Sequence, residues 1–85
     1  MERSVLLILI ENRSAAAVKV QEILTRYGCF IKTRLGLHEV TPQVCSETGL
    51  IFIELSGDKK EHLKFEEELQ KLKGVSVKLV ELAIR

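Results

Sequence analysis

His38 and Cys45 are the two side chains of this 85-residue chain best suited to holding a metal. Imidazole and thiolate suit zinc, nickel or copper. Both flank one predicted hairpin loop, so the fold can bring them near each other, and a two-fold partner would have to supply the remaining ligands. The plainer reading is a surface histidine close to a loop cysteine. His62, the other histidine, falls on a helix face directed at the sheet. A second place for chemistry is Glu11-Asn12-Arg13-Ser14, between the first strand and the first helix. Free backbone N–H groups and the positive end of the helix dipole favour a small anion such as a carboxylate there, and Arg13 adds charge. The plainer reading of this turn is a helix cap.

Catalytic sets are missing. There is no nucleophile elbow, no glycine-rich phosphate loop and no Ser/His/Asp group close in sequence. Glu66-Glu67-Glu68 reads as a solvated helix face. Nothing near Cys45 would lower its pKa. The expectation is a protein that is not an enzyme, and no cofactor can be named.

Charge excludes another class. Thirteen basic residues oppose 12 acidic ones, for a net charge of +1. Nucleic-acid binders usually cluster an excess of Lys and Arg. Thr48 to Leu55 keeps the glycine and one aromatic of an RNA-recognition strand, but lacks its leading basic residue and its other aromatics. Direct nucleic-acid binding is therefore not expected. The longest apolar run, Val5 to Ile10, falls well short of the ~20 residues that cross a bilayer. Glu11 interrupts it, so it is a poor signal peptide too. No membrane association and a cytoplasmic location are expected. Cys29 and Cys45 have no CxxC spacing and read as free thiols.

These residues must be positioned by a single small domain covering 1–85. Ser4 to Glu11 reads as a strand, and its continuous apolar run implies burial on both faces. Asn12 or Ser14 starts a helix whose stripe is Ala16, Val20, Ile23, Leu24 and Tyr27. Glu22 and Arg26 form an i,i+4 pair, and Gly28 ends the helix with a positive φ. A second strand runs from about Phe30 to Glu39, a loop from Val40 to Thr48, and a third strand from Gly49 to Leu55. Asp58 caps a second helix, with Glu61 placed for a capping box. His62, Phe65, Leu69 and Leu72 share one face of it. Gly74 stops it, and Val75 to Ile84 is the last strand.

The order βαββαβ with right-handed crossovers gives an antiparallel sheet of spatial order 4-1-3-2 with both helices on one face. This is the α+β ferredoxin-like plait. Alternation assigns Cys29, Ile31, Leu35, Leu37, Ile51, Ile53 and Leu55 to the helix-covered side. It assigns Phe30, Arg34, Leu50 and Phe52 to the open side, joined by residues of the first and last strands. A register in which paired positions sum to 88 would set Arg34 opposite Glu54 and His38 opposite Leu50. An exposed apolar sheet face marks an interaction surface. A homodimer or homotetramer through this face or its edge is expected, with Phe30, Arg34, Leu50 and Phe52 at the interface.

Several segments together carry a resemblance. They are Asn12-Arg13-Ser14, Tyr27-Gly28, Thr33-Arg34-Leu35-Gly36-Leu37-His38, Gly49-Leu50-Ile51 and Gly74-Val75-Ser76-Val77-Lys78. The chain resembles the iron-only hydrogenase system regulators, which are ACT-like domains. It is also similar to the metal-sensing C-terminal domain of the nickel-responsive repressor. The resemblance spans nearly the whole chain, and Arg34-Leu35-Gly36-Leu37-His38 is its most specific part. It implies a homo-oligomeric regulatory domain linked to assembly or control of iron-only hydrogenase, and it implies no known ligand. No DNA-binding element is present in the sequence, so any action on transcription would have to go through a partner. ACT domains bind amino acids near the turn matching Glu11–Ser14, where they usually carry a glycine that this chain lacks. Of the nickel sensor's ligand pattern, His38 and Cys45 are the residues that could correspond.

Overall fold

A computed structural model describes the backbone at residues 1–11, 13–40 and 45–84. Within them, the side chains of 13–15, 38–40 and 45–48 lie outside the described set. The elements are β1 (Glu2–Ile10), α1 (Arg13–Arg26), a short 3-10 turn (Gly28–Phe30), β2 (Ile31–Val40), β3 (Cys45–Leu55), α2 (Lys59–Gln70) and β4 (Val75–Ala83). The four strands form one sheet in the order β2-β3-β1-β4, antiparallel throughout. Read from the other edge, this is the expected 4-1-3-2.

β1 is central because it can bury both faces. Leu6, Ile8 and Ile10 point to the helices and join Ile53, Leu55 and Val77 from β3 and β4. Ala16, Val20, Ile23, Leu24 and Tyr27 of α1, and Phe65 and Leu69 of α2, close this core from above. Both helical stripes thus lie where their spacing put them. Leu63, off the stripe, is exposed. Tyr27 stacks on Phe65 with ring centroids 4.6 Å apart. Its hydroxyl donates to the Glu68 carboxylate, which Arg26 also bonds. Arg26 therefore meets Glu68 of the other helix rather than the expected Glu22. The hydrogen bond to Glu68, with burial, pushes the Tyr27 phenol up to about 12. The same bond holds the Glu68 carboxyl below its usual range.

Helix ends follow local chemistry. The Asp58 side chain accepts from the Lys60 N–H at 2.8 Å and caps α2. Glu61 bonds Lys64 rather than returning to the cap. Gly74 adopts φ 79° after α2, and Gly57 adopts φ 88° before it. A side chain at Gly57 would also strike Phe30, whose Cδ1 lies 2.9 Å from the position of a Cβ. Gly28 does not take the expected positive φ; the chain instead leaves α1 through the 3-10 turn, where the Phe30 N–H bonds the Tyr27 carbonyl at 2.9 Å.

β2 departs from simple alternation. Ile31 pairs with Leu55, but the next partners are Thr33 and Glu54, so Lys32 is an extra residue. One extra residue reverses which side the rest of a strand faces. Beyond it Arg34 pairs with Ile53, Leu35 with Phe52, Gly36 with Ile51 and Leu37 with Leu50. Arg34 thus lies on the helix side, and Leu35 and Leu37 on the open side, opposite to the alternation reading. Phe30 is also on the helix side, packed against the core. Paired positions here sum to 87 rather than 88, so Arg34 does not face Glu54 and His38 pairs with Gly49 rather than Leu50. β3 begins at Cys45, earlier than expected, because Cys45 pairs with Val40 and carries the ladder past the predicted loop. Thr41 to Val44, including Pro42, fall outside the described residues.

Candidate functional site

Opposite side chains of antiparallel neighbours share a face, so the registers build the open side row by row. Leu37, Leu50, Leu9 and Ser76 form one row across the four strands. Leu35, Phe52, Leu7 and Lys78 form the next, and Thr33, Glu54, Val5 and Val80 the third. Arg3 and Leu82 follow at the far end. The first two rows are apolar on β2, β3 and β1 and turn polar only on β4. Leu35 and Leu37 are 54% and 48% exposed, Leu9 45% and Leu82 62%. No helix covers this face among the described residues.

Its polar end is an ion pair. Arg3 Nε and Nη2 donate to the two Glu54 oxygens at 2.5 and 2.7 Å. That fork holds the Glu54 carboxyl below its ordinary range and the Arg3 guanidinium above its own. Lys59 Nζ, at the start of α2, meets Glu2 at 2.6 Å and Glu81 at 3.7 Å. The two sheet edges differ. At β4 the Glu66 carboxylate accepts the Leu79 N–H at 2.8 Å, and the Gln70 amide donates to the Val77 carbonyl at 3.2 Å. Side chains of α2 thus occupy backbone groups of that edge, a common protection against edge-to-edge pairing.

On the helix side a groove of about 280 Å³ lies between α1 and the β2–β3 hairpin. Its floor is Ile10, Val20 and Ile51, and Gly36 and Gly49 widen it. Arg34 lines it and donates to the Gln21 carboxamide oxygen at 2.8 Å.

The residues singled out by sequence are distributed as follows. Leu50 and Phe52 lie on the open face; Phe30 and Arg34 do not. Glu11 sits at the end of β1, its N–H bonded to the Gly74 carbonyl at 2.7 Å. It lines a hollow of about 280 Å³ with Leu9, Gly74, Val75 and Ser76. Asn12 lies outside the described residues, and Arg13 and Ser14 begin α1 with side chains outside them. His38 and Cys45 sit on the paired strands of one hairpin, and their side chains are likewise outside the described set. Among the described residues no group of three or more His, Cys, Asp or Glu side chains could hold a metal ion. Cys29 is a free, exposed thiol. His62 is buried, with Nε2 2.7 Å from the Ser56 carbonyl and Nδ1 without a hydrogen-bond partner among the described residues. No helix among the described residues is long and apolar enough to cross a membrane.

Sequence reasoning missed Leu35 and Leu37 as open-face residues. Their alternation was legible, but the bulge that decides its sign was not.

The fold has close likenesses. A structure of an uncharacterized protein, TM1266 from Thermotoga maritima, superposes with a TM-score of 0.82 at 27% identity, covering 98% of this chain and all of that one. The ACT domain of GTP pyrophosphokinase from Chlorobium tepidum matches at 0.62 with 10% identity, over 99% of this chain and 90% of that one. The apo form of CPII, a nitrogen regulatory PII-like protein from Thiomonas intermedia K12, matches at 0.60 with 17% identity, over 96% and 90%. No curated protein matches the chain. A family model matches residues 3–79. The chain therefore belongs to the TM1266-like family, described as "Iron-only hydrogenase system regulator, putative".

Proposed function

We propose that this domain is a non-catalytic, ligand-sensing regulator of the iron-only hydrogenase system that works as a homo-oligomer. One observation carries the oligomer: the apolar rows Leu37-Leu50-Leu9 and Leu35-Phe52-Leu7 lie together on a sheet face that no helix covers among the described residues. Monomers rarely leave such a contiguous patch in water. Four strands ~4.8 Å apart and several residues long give this face roughly 500 Å² in projection. A standard interface uses ~800 Å² of accessible surface per partner, so the face plus its rim is of the right order. A second copy of the chain is the natural occupant, because a two-fold axis sets identical rows against each other. Leu50 and Phe52 would be central to the contact. The β4 edge, already bonded by α2 side chains, favours the face, or the β2 edge, as the place of contact.

The family description supports the regulatory role, and the turn at Glu11, Asn12, Arg13 and Ser14 is one place where a ligand would dock. Light scattering on the purified chain at micromolar concentration tests the oligomer. The expected mass is two or four times the 9.6 kDa of one chain; a clean monomer refutes the reading. A thermal-shift screen of amino acids, nucleotides and divalent metals tests the sensing. A ligand at 100 times its Kd stabilises by ~2.7 kcal/mol.

A further inference from the structure

We propose that the groove between α1 and the β2–β3 hairpin binds a small carboxylate with a branched apolar tail, its head on Arg34 and its tail on Ile10, Val20 and Ile51. The proposal rests on the reading that the domain senses a small ligand, and it assigns that ligand a chemistry and a place away from the Glu11–Ser14 turn.

The groove exists because of two features on β2. The bulge at Lys32 turns Arg34 toward α1 and carries Leu35 to the other face. Gly36, paired with Ile51, then contributes no side chain, and a Cβ there would meet nothing within 4 Å. The result is a space of about 280 Å³. That is near the lower end of ligand pockets and suits a molecule of amino-acid size. Its floor is apolar. Its polar wall is a guanidinium and a carboxamide. Gln21 accepts one Arg34 N–H at 2.8 Å, which fixes the guanidinium plane at the mouth. The remaining N–H groups of such a fork match the two oxygens of a carboxylate. A cation held over an apolar floor selects an amphipathic anion over a fully hydrated one such as phosphate.

The test is an amide NMR titration of the whole chain with sodium 4-methylpentanoate, sodium acetate and inorganic phosphate in turn. Shifts with 4-methylpentanoate are expected at Ala17, Gln21, Gly36 and Ile51. Binding should tighten about fourfold for each methylene added beyond acetate. Arg34→Ala should weaken it about tenfold or more. Gly36→Val fills the groove with a residue that strands favour, so it should abolish binding while the chain stays folded. Affinity independent of tail length, with phosphate equal to 4-methylpentanoate, would reduce Arg34 to a general anion contact and overturn the proposal. Unchanged binding in Gly36→Val overturns it as well. Shifts confined to Glu11 and the start of α1 would overturn the groove yet uphold ligand sensing. Failure of every compound in the broad thermal screen is what would defeat sensing itself.

Discussion

Along β1, Leu6, Ile8 and Ile10 point at the helices and are almost wholly buried, whereas Val5, Leu7 and Leu9 point away and meet no second layer among the described residues. The side chains are of one kind; the surroundings differ. On the helix side the chain supplies its own cover, with α1 and α2 stripes packed on the sheet and Tyr27 tied to Glu68 across them. On the open side it supplies rows of leucines, a phenylalanine and an ion pair at one end. The contrast teaches that a continuous apolar strand marks a central place in the sheet without saying whether its own chain buries both faces.

The sharpest way to break the comparison is a pair of neighbouring substitutions. Leu6→Ala opens a cavity in the closed core and should cost ~2–5 kcal/mol in urea unfolding, whatever the protein concentration. Leu7→Lys, or Phe52→Lys, leaves that core intact. It should convert the oligomer to monomer in light scattering, with the far-UV spectrum retained. If Leu7→Lys changes neither mass nor concentration dependence, the two faces differ only in exposure and the open one has no partner.

Next in size is the bond that seals the helix layer. Tyr27→Phe removes its hydroxyl donor and should cost ~1 kcal/mol at neutral pH. The phenol pKa is raised in the folded chain to about 12 from 10. The stability it brings is therefore complete below pH 10 and is lost as pH rises through about 12. Glu68 runs the other way: its pKa is lowered, so its contribution is complete above the ordinary carboxylate range and is lost as pH falls through its lowered folded value. Denaturation midpoints at neutral and alkaline pH should show the alkaline loss in the native chain and its near absence in Tyr27→Phe.

The smallest effect expected of a lone domain is at Arg3. Its fork with Glu54 is open to solvent on a free sheet, so Arg3→Ala should then be barely measurable in stability. If a second copy covers the face, the same change leaves Glu54 unpaired in an interface and should raise the dissociation constant clearly. The size of that response separates a bare face from a covered one.

Much of the fold was legible. Val5 to Ile10 announced a central strand, and the stripes Ala16-Val20-Ile23-Leu24-Tyr27 and His62-Phe65-Leu69 placed both helices over one face. What was not legible turned on single residues. Lys32 has no feature that marks it as an insertion in the ladder, yet it decides whether Arg34 or Leu35 faces the helices. Pro42, Gln43, Ser46 and Thr48 suggested a loop from Val40 to Thr48, while β3 begins at Cys45, whose pairing with Val40 follows an irregularity in the ladder after His38. The candidate site divided similarly: Leu50 and Phe52 were found by alternation within β3, but the groove at Arg34 depends on the bulge and had no local signal.

The placement of β1 between β3 and β4 also bears on the order of assembly. β1 is made before either of its neighbours, and it acquires them only when residues 45–55 and then 75–83 have followed. Until then its most water-averse stretch has unpaired flanks, and closing the sheet joins residues some 65 to 80 positions apart at β4. Such non-local pairing slows folding, so β1 is expected to stay unpaired until β3 and β4 have been made.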